Sequence, residues 1–297
     1  MKEIITIQEP YLGQFTNCYV IRTQTHNLYI DAALKSQQEK LLPYLQEEKE
    51  HILLLTHGHW DHIGASALIR SYGGTTYAHQ ADLPWLTDFD LHWQIGFGQF
   101  KNTGDFPVPP ERYDTFWAEV GEPVKVDHFV AEGDILSFGE TSIRVVELPG
   151  HSAGSVGYYD EEMDVLFTGD SLMHTGFFGG LAQYCDYDLY RDSMRKIADL
   201  NPSTVYTAHT DPYLNGAAAK AAVEAITFAE KICADVDSYL QMHEDNIRVG
   251  EVARYVCEKE GKKWGCGACV CILNHLKRLK NPEVEKQVDF QRYICGL

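Results

Sequence analysis

The run Thr56-His57-Gly58-His59-Trp60-Asp61-His62 constrains this chain more than any other stretch. It sets three imidazoles and one carboxylate within six positions. Imidazole and carboxylate together suit Zn²⁺, Fe or Mn. A single Zn²⁺ rarely takes four ligands from so short a segment, but two neighbouring cations can share them. The apolar run His51–Leu55 comes directly before it and suits a buried strand. His57 and His59 then lie two apart at the end of extended chain, so both side chains point to one side. Asp61 and His62 open a helix expected over Asp61–Tyr72 and ended by Gly73-Gly74. They can turn toward a second cation, and an aspartate is favoured near a helix N-terminus.

Three later segments offer donors of the same kind. Leu148-Pro149-Gly150-His151 puts a histidine on a tight turn after a strand. Phe167-Thr168-Gly169-Asp170 puts a carboxylate at a strand end, and Tyr206-Thr207-Ala208-His209 puts another histidine at one. Donors at strand ends can be gathered along one edge of a sheet sandwich.

The rest of the chain alternates strand and helix signals. Strands are expected at Glu3–Ile7, Cys18–Arg22, Asn27–Ile30, Thr75–Ala78, Asp134–Phe138, Ser142–Leu148, Ser155–Tyr159, Val165–Thr168 and Thr204–Thr207. Helices are expected over Gln37–Glu50, with Pro43 near its start or at a kink, over Tyr187–Leu200, and over the Ala-rich Gly216–His243. Residues 81–127 lose the pattern but are too aromatic for a disordered linker. A lid, a dimer surface or a satellite core would each explain them. The tail reads as two helices, Gly250–Glu258 and Cys269–Leu279, then a β-like Val284–Ile294, which together resemble a small winged-helix module.

The ordered set His57-x-His59-x-Asp61-His62, His151, Asp170, His209 resembles the metallo-β-lactamase superfamily over roughly residues 1–215. The resemblance implies a four-layer αβ/βα sandwich with a metal site at one edge. It implies His57, His59 and His151 on one metal, Asp61, His62 and His209 on the other, and Asp170 bridging them. Asp31, at the end of Asn27–Asp31, matches the family's early aspartate and is expected to orient the ligand loop as a hydrogen-bond acceptor. Two such cations, expected to be Zn²⁺ with Fe or Mn as alternatives, would activate a water for hydrolysis, with Asp61 as proton acceptor or shuttle.

On this basis residues 1–215 form a catalytic domain, residues 216–244 a connecting helix, and residues 245–297 a small C-terminal module. Three activities fit: a small-ester or thioester hydrolase, a phosphodiesterase or ribonuclease, and an iron-dependent redox enzyme of dioxygenase type. Asp188–Met194 resembles the tyrosine–serine helix of the thioesterase-like branch. Gly176–Gly180 lacks the basic residues that glyoxalase II-like enzymes place there for glutathione. The tail resembles an extension found in a hydrolase subgroup with RNA-cleaving members. Net charge is −18, and residues 1–244 carry the whole acidic excess while residues 245–297 are mildly basic. The acidic body disfavours a long polyanion, so a small-molecule substrate is expected over nucleic acid. Cys266, Cys269 and Cys271 offer a cluster for Zn or Fe–S, or packing in a helix, and packing is the favoured reading; Cys185 also reads as packing. The start MKEIITIQEP has no apolar run after its lysine, and the eight cysteines read as reduced thiols, so a cytoplasmic protein is expected. No apolar stretch approaches membrane-spanning length. The long helix and the aromatic segment each offer a surface for a homodimer contact.

Overall fold

The computed structural model describes residues 2–11, 13–243 and 246–293. The first of two six-stranded sheets holds β1 (Glu3–Tyr11), β2 (Gln14–Arg22), β3 (His26–Ile30), β4 (Glu50–Leu54), β5 (Thr75–His79) and β6 (His128–Val130) in sequence order. Its first three strands pair antiparallel, and β3 to β6 run parallel. The second sheet holds β7 (Ile135–Phe138), β8 (Thr141–Glu147), β9 (Val156–Asp160), β10 (Val165–Phe167), β11 (Thr204–Tyr206) and β12 (Tyr213–Leu214). All its pairs are antiparallel except β10 with β11.

Strand alternation sorts the side chains into layers. Leu28 and Ile30 of β3 point between the sheets, where they meet a core built from Ile21, Leu54, Val156, Tyr158 and Phe167. Tyr29, between them, points the other way into a second core with Leu41, Ile63, Ile69 and Phe116. Val146, Leu166 and Val205 on the outer face of the second sheet pack with Met194, Ile197, Ala222 and Ala229. The result is helices, sheet, sheet, helices: the four-layer sandwich expected from the sequence. The Tyr187–Leu200 helix starts where the Asp186 side chain accepts from the Leu189 N–H at 2.8 Å. The Ala217–Met242 helix buries Ala218, Ala222, Ala225, Ala229 and Ile232 at helical spacing. These small side chains let it lie close against its neighbour.

Two expected helices are shorter or broken. Over Gln37–Glu50 the chain forms a 3₁₀ turn at Lys35–Leu41 and a single α-turn at Leu42–Leu45, and β4 already begins at Glu50. Pro43 sits in the first turn of that short helix, where its missing N–H costs nothing, and cannot extend the helix before it. Asp61–Tyr72 divides into Trp60–Ile63 and Ser66–Ser71. The N–H groups of Gly64 and Ala65 donate instead to the carbonyls of Ala33 and Ala32, at 2.8 and 3.3 Å. This tertiary pairing anchors the His57–His62 run to the loop after β3.

The described part of the tail holds helices joined by short turns, and no strand. Val249–Lys259 and Cys266–Arg278 are helices, as expected. The β-like reading of Val284–Ile294 is corrected: Pro282–Gln287 is α-helical and Phe290–Arg292 is a 3₁₀ turn, with Ile294 outside the described residues. The Asn281 side chain accepts from the Glu283 N–H, and Pro282 follows it at the first helical position, a strong start signal. Val284 and Val288 are then four apart and both buried, a helical period. The tail helices join the same core as the second sheet through Val252, Val256, Cys269, Cys271 and Ile272.

Residues 81–127 fold as short helices, chiefly Leu83–Thr87, Phe89–Trp93 and Pro110–Glu119. Leu86, Phe89 and Phe116 complete the core outside the first sheet. The segment is tied to the tail, because the Tyr293 hydroxyl donates to Asp105 and Arg248 donates to the Gly104 carbonyl at 2.8 Å.

The Gly64 crossing gives a test. A Cβ there would lie 2.3 Å from the Lys35 nitrogen and 2.5 Å from the Glu119 oxygen, both backbone. Gly64→Ala is expected to cost about 2 kcal/mol in urea unfolding. An unchanged midpoint would contradict this packing.

Candidate metal centre

The site lies where strand ends of both sheets open at one edge. β4 leads into Thr56–His62, β8 into His151, β10 into Asp170 and β11 into His209. The seven side chains singled out from the sequence converge there, and none is more than 8% exposed. Three groups have donor atoms close enough to hold an ion: His57, His59 and His151; Asp61, His62 and His209; and His57, His62 and Asp170. Asp170 presents Oδ1 to His62 and His209 Nε2, at 3.6 and 3.4 Å, and Oδ2 to His151 Nε2 at 3.6 Å. Its two oxygens therefore face different groups.

The imidazoles are oriented from behind. His62 Nδ1 is 2.8 Å from Asp31 Oδ2, His151 Nδ1 is 2.7 Å from the Gln183 carbonyl, and His209 Nδ1 is 3.0 Å from the Phe15 carbonyl. Each contact leaves Nε2 aimed inward, the usual outer-shell arrangement of metal-binding histidines. Asp31 also accepts from the Thr56 N–H and hydroxyl, both at 2.8 Å. It thus holds the start of the His57–His62 run as well as the His62 ring. Its backbone is left-handed, at φ 61°, a conformation that Asp tolerates better than most residues.

The donor set fits a cation. His57 Nε2, His62 Nε2 and Asp170 Oδ1 are buried with no hydrogen-bond partner among the described residues. Such atoms are costly unless something electron-deficient meets them. Burial, reinforced by the neighbouring imidazoles, pushes His57 and His59 well below their ordinary pKa and leaves them neutral, as ligation requires. His62 and His209 behave oppositely: burial lowers them, but the surrounding Asp61 and Asp170 carboxylates outweigh it. His209 is raised to about 10. Without metal, these carboxylates hold protons on the two rings.

Sequence reasoning missed two residues that shape the site. Asp82, buried at the end of a short turn after β5, accepts from the Gly58 N–H at 2.8 Å, the Gly154 N–H at 2.7 Å and the Ser152 hydroxyl at 2.7 Å. It fastens the His57–His59 loop to the His151 loop. Burial pushes its carboxyl above the usual range against these donors. A lone aspartate in an irregular stretch carries no signal of such a role. Tyr11, at the end of β1, stacks its ring on His209 with centroids 5.7 Å apart.

Above the donors lies a cavity of about 300 Å³. His59, Asp61, His151, Asp170 and His209 form part of its lining, with Trp85, His92 and Phe97 from residues 81–127 and Trp264 and Cys266 from the tail. The aromatic segment therefore serves both as core and as cavity wall. The Cys266/Cys269/Cys271 cluster supplies no ion-holding group among the described residues, where all three groups consist of His and Asp. Cys269 and Cys271 pack in the core, and Cys295 lies outside the described residues.

The model of the metallo-beta-lactamase superfamily matches residues 12–209. The chain belongs to that superfamily. It is 28% identical to a hydroxyacylglutathione hydrolase of Haemophilus influenzae over 181 residues, covering 60% of this chain and 77% of the relative. It is 26% identical to an acyl-coenzyme A thioesterase of Gallus gallus, covering 66% and 72% respectively. A metallo-beta-lactamase family protein of Thermus thermophilus has the same fold, with a TM-score of 0.73 at 21% identity, covering 94% of this chain and 93% of that one. This chain is thus an enzyme of a metallo-hydrolase superfamily, with His/Asp groups suited to divalent metal.

Three outcomes are expected. Asp82→Ala leaves three donors unmet and should cost about 3 kcal/mol of stability; a neutral effect would remove its bracing role. Asp31→Asn cannot accept from all three of its donors, and should weaken metal affinity about 10–100-fold in chelator competition while the fold persists. Metal must displace the proton that the carboxylates hold on His209, so affinity should fall as pH falls. Calorimetry in two buffers of different ionisation enthalpy should show proton release at pH 7, and no buffer dependence would contradict it.

Proposed function

We propose that the chain is a binuclear hydrolase acting on a small ester or thioester. The convergence of two ligand groups on either side of Asp170, beneath a cavity with aromatic walls, carries this reading. His57, His59 and His151 would hold one cation, Asp61, His62 and His209 the other, and Asp170 both. Zn²⁺ is the favoured ion, with Fe and Mn open to the same donors. When bound, the pair supplies Lewis acidity and a water acidic enough to attack near neutral pH.

The chain's own residues do the rest. Asp61 lines the cavity, and its Oδ2 lies 3.2 Å from His209 Nε2. Burial raises its pKa, but His62 and His209 more than offset this and keep it ionised. It is the carboxylate placed to accept a proton from the nucleophile or pass one to the leaving group. Trp85, Phe97, Phe177 and Leu181 exclude water and give the substrate an apolar seat. The likeness to a hydroxyacylglutathione hydrolase and an acyl-coenzyme A thioesterase supports an acyl substrate over a phosphodiester. The free thiols among the described residues support a reducing, cytoplasmic setting, and no described helix is long and apolar enough to cross a membrane.

The metal-loaded enzyme should hydrolyse a p-nitrophenyl ester or a simple thioester with kcat/KM about 100-fold or more above that for bis-p-nitrophenyl phosphate. The reverse order would move the assignment to phosphodiester chemistry. Turnover of neither, with oxygen consumed by an iron-loaded sample, would move it to redox chemistry.

A further inference from the structure

The cavity departs from the charge of the chain around it. The sequence holds 43 Asp+Glu against 25 Lys+Arg. Yet among the described residues the only carboxylates lining the cavity are Asp61 and Asp170, both within the metal-holding groups. The other charged side chains on its wall are Arg112 and Lys263. Among the described residues, neither forms an ion pair with a carboxylate. Both line the same cavity without a carboxylate partner, which leaves them open to an anion from outside.

Both are held by fixed elements. Arg112 lies in the first turn of the Pro110–Glu119 helix, with its guanidinium 5.7 Å from the centre of the Phe97 ring. Lys263 precedes the Cys266–Arg278 helix, and its N–H donates to the Gly179 carbonyl at 2.8 Å. A Cβ on Gly179 would lie 3.3 Å from Lys263 Cδ and Cε, so the aliphatic stem runs along that bare backbone. One cation thus comes from residues 81–127 and the other from the tail, the two segments tied through Asp105. Between apolar walls such charges act at lower effective dielectric than on open surface.

We propose that Arg112 and Lys263 are specificity-determining residues that select a substrate bearing a carboxylate or phosphate remote from the scissile carbonyl. This deepens the acyl-hydrolase reading and rests on it. Substrate then spans the cavity: its acyl carbon sits over Asp61 and Asp170, and its anionic group is held by the insert and the tail. Attraction to two cations also explains how an anionic small molecule enters a chain of net charge −18.

The test compares metal-loaded wild type with Arg112→Gln, Lys263→Gln and the double variant on four thioesters. Acetyl and succinyl groups are each joined to 2-mercaptoethanol or 3-mercaptopropionate, so that the anion lies on neither part, the acyl part, the thiol part or both. Wild type should favour at least one singly anionic thioester over the neutral one by 10-fold or more in kcat/KM, mainly through KM. Each variant should erode that ratio, and the double variant should bring it within about twofold of unity. The arm that responds tells whether the anion belongs to the acyl group or the leaving thiol. A wild-type ratio near unity, or one that the variants leave intact, would overturn the proposal. Binding of glutarate and of neutral glutaramide, followed by tryptophan fluorescence, gives a readout without turnover. Glutarate preference lost in the double variant supports the subsite even if no thioester is cleaved, in which case only the hydrolase reading fails. Preference retained there places the carboxylate on the metals and overturns the subsite.

Discussion

Burying Asp61 and Asp170 together at the edge of the sandwich is the constraint on which the rest of the structure depends. Two carboxylates in a low-dielectric pocket repel one another and lose hydration worth several kcal/mol each. The neighbouring imidazoles do not by themselves settle the account, because His57 Nε2, His62 Nε2 and Asp170 Oδ1 have no hydrogen-bond partner among the described residues. Cations held by the donor groups would satisfy all of these atoms at once. The scaffold is arranged around that need: Asp31, the Gln183 carbonyl and the Phe15 carbonyl turn three rings inward, and Asp82 pins two ligand loops together.

Once the donor cluster is fixed, residues 81–127 and the tail decide what can reach it. The sandwich alone would leave the sheet edge open. The insert closes it with Trp85, His92 and Phe97, and the tail closes it with Trp264 and Cys266. Since the insert and tail are joined through Asp105 and Gly104, the cavity wall is one continuous structure. The donors thus sit at strand ends and much of the cavity wall on the added segments, a division that suits a fold hosting many substrates.

Much of this was legible in the sequence because the donors are chemically rare and lie at strand ends. His57, His59, Asp61, His62, His151, Asp170 and His209 each follow a strand signal, and all seven meet. Strand periodicity also placed ten of the twelve described strands, with β4 displaced by one residue from the expected His51–Leu55 and β1 and β2 each four residues longer than expected, while the short β6 and β12 were missed. What was not legible depends on tertiary hydrogen bonds. The Asp61–Tyr72 pattern is helical in composition, but Ala32 and Ala33 capture the N–H groups that would have continued the helix. Asp82 looks like any polar residue near a turn, and only the fold brings Gly58, Ser152 and Gly154 to it. In the tail, aromatic and β-branched residues suggested strands, while the Asn281–Pro282 start and the spacing of Val284 and Val288 set a helix instead.

Metal stoichiometry tests the account most directly. The purified chain would be stripped with chelator and titrated with Zn²⁺, and bound metal per chain counted by elemental analysis after removal of excess. Two ions per chain at saturation are expected, both dependent on the buried donors. Saturation at one ion or fewer in a folded sample would contradict the binuclear centre, and with it the reason for burying Asp61 and Asp170 side by side.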